Sequence, residues 1–151
     1  MMKLTSSVFK HEAKIPEKYT CDGRNINPPL SISDIPSGTK SLVLFLVDSD
    51  VPKHIRADGI WDHWLVFNIP PTTTDIAEGK EPAGVHGLGT GNNTNYYGPC
   101  PPDDYHHYYF SVFALDTMLD LPEKSTKKEI MQAMEGHVLA KAVLIGIYGR
   151  D

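Results

Sequence analysis

The eight residues Ser41–Asp48, SLVLFLVD, determine the fold class of this chain. Their apolar side chains fall at both even and odd positions, and the run is short, so the segment predicts a central β-strand covered on both faces. Trp61–Ile69 and His106–Leu115 are rich in aromatic and β-branched residues, which favours two more strands. Val138–Tyr148 predicts a fourth strand, although its first part, Val138–Ala142, would equally extend a helix. We therefore expect a mainly β protein.

One helix is predicted near the C-terminal end. Thr126 and Glu129 have the spacing of a capping box, in which the threonine bonds forward and the glutamate reaches back. Apolar residues such as Ile130 follow at helical spacing, and Gly136 is typical of the position just beyond a helix end. The helix is expected to span roughly Lys127–Glu135.

Length and charge limit the kinds of protein this can be. The 151 residues contain no repeat or linker, which predicts one domain spanning residues 1–151. A net charge of −5 and a pI of about 5.7 argue against a broad nucleic-acid-binding surface. The longest apolar run, Leu42–Val47, is far too short to span a membrane. The N-terminus lacks the apolar stretch of a signal peptide, so we expect a cytoplasmic protein.

Two long segments, Tyr19–Pro29 and Ala83–Pro102, are rich in turn-forming residues. Loops of this length without regular structure are usually functional or disordered, and the aromatic and proline residues near the end of the second favour order. The two cysteines, Cys21 and Cys100, lie in these segments and neither prove nor exclude a disulfide. In a reducing compartment the default expectation is two free thiols.

Several polar residues share a strand face with the predicted core. Because side chains alternate along a strand, Asp48, His63 and His106 each lie on an apolar face of their own strand. If the strand ends meet, these three residues and Tyr108 converge on one pocket. A buried carboxylate needs a partner, and Asp48 beside a histidine would accept a ring N–H and favour the imidazolium. Two histidines and a phenol around a concavity form a donor-rich site that suits an anion.

The order and spacing of several motifs identify a family resemblance that covers nearly the whole chain. The motifs are Asp48–Pro52 (DSDVP), Trp61–Trp64 (WDHW), Gly98–Pro102 (GPCPP) and His106–Tyr108 (HHY). Together they resemble the three signatures of the phosphatidylethanolamine-binding protein family, also called Raf kinase inhibitor-like proteins. Other segments, from Lys3–Phe9 onward, are similar to its bacterial and archaeal branch.

The resemblance implies a β-sandwich-like fold with a large central antiparallel sheet and a peripheral helix. It also implies a pocket at one end of the sheet that binds phosphate-type anions, including the phospholipid headgroup in animal members, without catalysis or a cofactor. Matched residue by residue, the ligand-binding positions are Asp48, Trp61, His63, Pro101, His106 and Tyr108, with Asp50 and Cys100 in support. A homodimer, and a protein kinase or protease as partner, follow from the resemblance alone.

A mechanism can be formulated for this pocket. Asp48 would orient and partly charge His63, while His106 and Tyr108 donate to the anion and Pro101 and Trp61 form a rigid wall. Anion binding would then weaken as pH rises through the pKa of the histidines, because the imidazolium is the better partner.

Loop residues around the pocket modify this scheme. Tyr97 would narrow the mouth of the pocket, and Asp50 would brace the loop that it belongs to. Asp103 and Asp104 are interpreted as solvated loop residues, close enough to His106 to raise its pKa.

Three alternative functions remain open at this stage. Asp48, His63 and His106 have the ligand types of a zinc site, but none of the usual short ligand spacings is present. Cys100 and His106 could form a cysteine hydrolase, although nothing obvious activates the thiol. A protein-interaction module that inhibits a kinase or protease would use the loop His86–Tyr97 as its contact surface.

Overall fold

The computed structural model describes residues 1–150 and contains nine strands and two helical segments in that range. The strands are β1 (Lys3–Thr5), β2 (Ala13–Lys14), β3 (Leu30–Ser33), β4 (Ser41–Asp48), β5 (Trp61–Ile69), β6 (Asp75–Ile76), β7 (Val85–His86), β8 (His106–Leu115) and β9 (Val138–Tyr148). A short 3-10 helix spans Glu17–Tyr19, and the helix α1 spans Lys127–Met134. The four strands predicted from the sequence are confirmed, and β9 begins as a strand at Val138. No helical segment in residues 1–150 has the length and apolar character needed to traverse a bilayer.

The strands form two sheets. The larger has six strands in the order β2-β9-β8-β4-β5-β7, and all its pairs are antiparallel except β2–β9. The smaller has the order β1-β3-β6 and is antiparallel. This arrangement confirms the mainly β fold with a large central sheet and one peripheral helix.

Strand β4 is covered on both faces, as its sequence predicts. Leu44 and its even-numbered neighbours pack with Leu30 and Ile32 of the small sheet in the main core. Phe45 and its odd-numbered neighbours pack with Ile130 on α1 in a second core. Burial of both faces explains why this strand has only apolar residues between Ser41 and Asp48, since each buried apolar side chain contributes roughly 1.5–3 kcal/mol.

The ends of α1 follow the sequence signals. The backbone N–H of Glu129 donates to the Thr126 side chain at 3.3 Å, and the Glu129 carboxylate accepts from the Thr126 backbone at 2.9 Å. Gly136 adopts a φ of 82°, which a residue without a Cβ reaches at little cost. The helix therefore ends at Met134, one residue before the predicted end.

A β-bulge in β5 changes which face His63 occupies. Leu46 of β4 pairs with Trp64, but Val47 pairs with Asp62, so one extra residue of β5 is accommodated between these pairs. Asp62 consequently points towards α1, where it meets Lys127, whereas His63 points to the opposite face with Trp64. Strict alternation, which places His63 on the same face as Leu65 and Phe67, is therefore wrong at this point.

A disulfide joins Cys21 to Cys100 across 79 residues of sequence. The default expectation of two free thiols is therefore wrong. The two cysteines lie in the two long turn-rich segments, so the bond ties the loop before β8 to the turn after the 3-10 helix. A backbone hydrogen bond from Cys21 N–H to the Pro99 carbonyl, at 3.1 Å, reinforces this connection.

Candidate functional site

A cavity of about 200 Å³ opens where β4 ends and β5 begins, and we call it the strand-end pocket. It is lined by Asp48, Trp61 and His63 from the strands, by Val51 and Ile55 from the loop after β4, and by Tyr97, Cys100 and Pro102 from the loop before β8. Behind this wall lie His106 and Tyr108 at the start of β8, which are 2% and 0% exposed. The strand pairing Asp48–Tyr108 and Asp48–Trp61 explains why residues distant in sequence meet here.

The innermost polar contact of the site joins Asp48 to His106. Nδ1–H of His106 donates to Oδ2 of Asp48 at 2.6 Å, and both side chains are almost completely buried. Nε2–H of the same ring donates to Oδ1 of Asp103 at 2.7 Å. Burial alone would lower the pKa of His106, but the hydrogen bonds to Asp48 and Asp103 outweigh it and raise the pKa. A ring with carboxylates at both nitrogens is an imidazolium.

His63 is in the opposite electrostatic situation. Its Nδ1–H donates to the backbone carbonyl of Tyr97 at 2.8 Å, and its ring stacks on the Tyr97 ring with centroids 5.8 Å apart. Burial lowers the pKa of His63 and outweighs the Tyr97 carbonyl and the Asp48 charge. The expectation that Asp48 orients and charges His63 is therefore wrong, because the partner of Asp48 is His106.

Two buried donors at the site lack a satisfied hydrogen bond. They are the indole Nε1 of Trp61 and the hydroxyl of Tyr108. Burial, followed by the nearby Asp48 carboxylate, raises the pKa of Tyr108. The carboxylate lies close to the hydroxyl, but the geometry between them is not that of a hydrogen bond. An unpaired buried donor is unfavourable by roughly 1–3 kcal/mol, so a ligand oxygen that paired with it would be stabilised.

Pro101 does not line the strand-end pocket. Pro102 lines it instead, in the position that the sequence analysis assigned to Pro101. Pro101 is buried, and its carbonyl accepts from Nη1 of Arg150 at 3.1 Å. Nη2 of Arg150 also lies 2.9 Å from the Cys21 sulfur and 3.2 Å from the Cys100 sulfur. Pro101 thus helps to anchor the loop, and nothing in the sequence pattern distinguished it from Pro102.

Asp50 connects the loop after β4 to β8. Its Oδ2 accepts from the backbone N–H and the ring Nδ1–H of His107, both at 2.7 Å, and its own N–H donates to Oδ1 of Asp48 at 2.8 Å. Burial would raise the pKa of Asp50, but the His107 hydrogen bonds prevail and lower it. This geometry matches a bracing role for Asp50 rather than direct contact with a ligand.

Gly98 allows the loop before β8 to lie against the turn after the 3-10 helix. Its N–H donates to Oδ1 of Asn25 at 2.8 Å, and a Cβ at this position would lie 2.1 Å from the backbone oxygen of Tyr19. Real Cβ atoms do not approach backbone so closely, so only glycine fits here. With the disulfide, this contact fixes the position of Cys100 in the pocket wall.

Residues that sequence reasoning did not assign to the site are Asp103 as a direct partner of His106, Val51, Ile55 and Pro102. The sequence shows only that a negative charge at Asp103 lies near His106. The hydrogen bond between the two side chains depends on the path of the loop, which the sequence pattern does not predict. Val51 and Ile55 belong to a loop whose path no periodicity predicts.

Two of the alternative functions lose support. Within residues 1–150, no group of three or more histidine, cysteine, aspartate or glutamate side chains could hold a metal ion. Cys100 is in a disulfide, so the cysteine-hydrolase alternative lacks its nucleophile in this structure.

Comparison with known proteins identifies relatives along the whole chain. A family model described as phosphatidylethanolamine-binding protein matches residues 5–149. A UPF0098 protein of Chlamydia muridarum is 49% identical over 150 residues, which cover 99% of this chain and 100% of the relative. A UPF0098 protein of Methanothermobacter thermautotrophicus is 44% identical over 155 residues, covering 99% of each.

Two solved structures superpose on nearly the whole length of this chain. The phosphatidylethanolamine-binding protein homologue CT736 of Chlamydia trachomatis superposes with a TM-score of 0.96 at 47% identity, covering 99% of this chain and 98% of that one. Escherichia coli YbcL, described as a new member of the mammalian family, superposes with a TM-score of 0.89 at 28% identity, covering 99% of each chain.

Proposed function

Because the chain belongs to the phosphatidylethanolamine-binding protein family, we propose that the strand-end pocket binds a small phosphate-type anion and does not transform it. The family name supplies one such ligand, the phosphate of a phospholipid headgroup. A phosphorylated metabolite or the phosphorylated side chain of a partner protein, such as a kinase substrate, presents the same group. The pocket would recognise this shared chemistry.

The observation that carries the proposal is the hydrogen bonding of the buried His106 ring, which has a carboxylate at each nitrogen. Its ring is buried, is charged, and already holds a carboxylate oxygen at Nε2 at 2.7 Å. This N–H is thus placed to donate to an oxyanion, and a phosphate oxygen could take the carboxylate's position. Asp48 on the opposite nitrogen keeps the ring oriented and protonated.

Two further features support a phosphate in particular. Trp61 Nε1 and the Tyr108 hydroxyl are buried donors without partners, and a phosphate has several oxygens with which to reach more than one donor. The cavity of about 200 Å³ is smaller than the pockets that enclose drug-sized ligands, which favours a single phosphate-bearing group.

The test is an amide NMR titration with inorganic phosphate and with O-phosphorylethanolamine, at about pH 6 and about pH 8, on either side of the ordinary histidine pKa. We expect saturable shifts at Asp48, His63 and Tyr108 that are lost in His106→Ala. Phosphorus NMR of the same samples should show intact O-phosphorylethanolamine, since the proposal is binding without hydrolysis.

Two variants make this experiment specific. His137→Ala is the matched control, because His137 also donates from Nδ1 to a carboxylate, Asp116, but at the surface. Trp61→Phe removes the unpaired indole N–H while keeping an aromatic ring in the pocket wall, and it should weaken phosphate binding even if His106→Ala misfolds. Absence of shifts in the wild type at both pH values would contradict the proposal and would favour the protein-interaction alternative.

A further inference from the structure

The ring of His106 donates a hydrogen bond to a second carboxylate, which belongs to a loop residue. Asp103 lies three residues before His106, and its Oδ1 is 2.7 Å from Nε2 of that ring. The two side chains differ greatly in exposure, at 56% for Asp103 and 3% for His106. Asp103 therefore reaches from the solvent side to the only ring nitrogen that Asp48 leaves available.

We propose that Asp103 is a tethered carboxylate that occupies the anion position on His106 and so sets an affinity threshold at the strand-end pocket, which phosphate-type dianions pass and simple carboxylates do not. This inference rests on the proposed function, because it concerns which anions reach the same nitrogen. It makes Asp103 a residue that determines specificity.

The segment around Asp103 is an exposed bend between two anchored parts of the chain. Pro102, Asp103 and Asp104 form an exposed bend without regular structure. On one side of this bend, the Cys100 disulfide and the hydrogen bond from Arg150 to the Pro101 carbonyl hold the loop. The other side is β8, which is paired along its whole length. Release of Asp103 would therefore expose a carboxylate to water without uncovering the core.

Tethering sets the threshold, and the number of ligand oxygens decides which anions pass it. A carboxylate attached three residues away has a high effective concentration at the His106 nitrogen, so a free carboxylate of the same chemistry competes poorly. A phosphate monoester has a charge of roughly −1.5 to −2 and three terminal oxygens. It can replace Asp103 on His106 and use its other oxygens on the unpaired donors of Trp61 and Tyr108. Asp103 itself places only one carboxylate at the site.

The sequence provides a matched control at the next position. Asp104 is exposed and has the same charge as Asp103, but it does not make the contact that defines the proposal. Replacing each aspartate by alanine changes the net charge equally. Only Asp103→Ala removes the internal acceptor from His106.

The experiment compares wild type, Asp103→Ala and Asp104→Ala by amide NMR titration with inorganic phosphate, O-phosphorylethanolamine and acetate. It is performed at about pH 7.5, above the second pKa of a phosphate monoester. We expect Asp103→Ala to bind phosphate about tenfold more tightly, which corresponds to Asp103 occupying His106 roughly nine-tenths of the time. We expect acetate, the weaker ligand, to gain by the same factor, so that its binding becomes detectable in Asp103→Ala but not in the wild type. Asp104→Ala should behave like the wild type.

A ligand-free measurement tests the contact itself. The ring signals of His106 are followed against pH in the same three proteins, and the pKa of His106 should fall in Asp103→Ala only. An unchanged pKa in Asp103→Ala would show that the contact does not hold His106 in solution, and would overturn the inference without involving any ligand.

The binding outcomes separate this inference from the proposed function. Phosphate binding that Asp103→Ala leaves unchanged or weakens would overturn the inference and leave the function intact. An equal gain in both alanine variants would also overturn it, since the effect would then be one of net charge. If no anion bound any of the three proteins, the proposed function would fail and the inference with it.

Discussion

Two cavities lie on opposite sides of β5, and they differ in size and in chemistry. The strand-end pocket has a volume of about 200 Å³ and is lined on its β5 side by Trp61 and His63. The other, which we call the helix groove, has about 850 Å³ and lies between α1 and the residues around Leu88–Thr90, with Phe113 and Met131 among its lining residues. Asp62, between the two pocket residues of β5, faces the helix groove.

The least exposed charged groups of the helix groove, Asp62 and Lys127, are paired with each other. Lys127 Nζ lies 2.7 Å from Oδ1 of Asp62, with each side chain 19% exposed, and the Asp62 N–H donates to Thr90 Oγ1 at 2.8 Å. The strand-end pocket, in contrast, has two buried donors without partners and a buried imidazolium. Unpaired buried donors, rather than volume, are therefore the reason for proposing the smaller cavity as the binding site.

The disulfide beside the strand-end pocket gives the largest predicted change in stability. Reducing the Cys21–Cys100 bond, which closes 79 residues of sequence, should lower the free energy of unfolding by about 4 kcal/mol. Urea unfolding with and without a dithiol reductant measures this change. Amide shifts should be concentrated around the strand-end pocket and leave the helix groove unchanged.

The control for this experiment is the variant Cys21→Ser with Cys100→Ser, which should have the same stability in both buffers. Stability of the wild type that is indifferent to reduction would contradict the prediction. Disulfides are rare in reducing compartments, so the redox state of the protein isolated from its cells also tests the cytoplasmic location expected from the sequence.

The next effect concerns the helix side. Ile130 is fully buried between α1 and the large sheet, so Ile130→Ala should lower the free energy of unfolding by about 3 kcal/mol. If the helix groove is structural, the phosphate affinity of the folded variant should equal that of the wild type. A loss of affinity in a variant that remains folded would break the distinction between the two cavities.

A smaller effect is a pH dependence with opposite contributions from the two pocket histidines. The raised pKa of His106 stabilises the fold fully below the unfolded pKa of about 6.5, and this stabilisation is lost as pH rises towards the folded value. The lowered pKa of His63 has the reverse sign, because protonation below about pH 6.5 favours the unfolded chain. Each slope is at most about 1.4 kcal/mol per pH unit.

Urea unfolding at several pH values measures both slopes. His106→Asn should abolish the loss of stability as pH rises above about 6.5. His63→Asn should reduce the loss of stability as pH falls below that value. If His106→Asn retained the full decline on the alkaline side, the assignment of that slope to His106 would be wrong.

The smallest effect is expected at the start of α1. Thr126→Ala removes the acceptor for the Glu129 N–H and should lower the free energy of unfolding by about 1 kcal/mol. Thr126→Ser keeps a hydroxyl at this position and should retain most of the stability. Thermal unfolding of the two variants compares them directly. Equal losses in both would indicate that the threonine methyl group, rather than the cap, is responsible.

Strands and helix were predictable because their signals are local. Ser41–Asp48 and His106–Leu115 have the bounds expected from hydrophobic pattern, and the capping box located α1. The bulge at His63 was not predictable, because a register shift is a property of two paired strands and leaves no trace in the period of one.

The contacts within the site required the fold as well. The sequence indicated a carboxylate beside a histidine, but the choice between His63 and His106 depends on which ring nitrogen reaches Asp48 across paired strands. The disulfide likewise depends on the approach of two loops that are 79 residues apart. Such long-range geometry has no counterpart in local spacing.

The bulge in β5 also determines what the protein's fluorescence reports. Trp61 and Trp64 are the two tryptophans of the chain, and they flank His63. Trp61 borders the pocket, while Trp64 is buried behind it, with its indole N–H 2.8 Å from Glu81 and its ring against Tyr96. All intrinsic tryptophan emission therefore originates at this corner of the molecule. Tryptophan fluorescence therefore reports on the surroundings of the strand-end pocket without any added label.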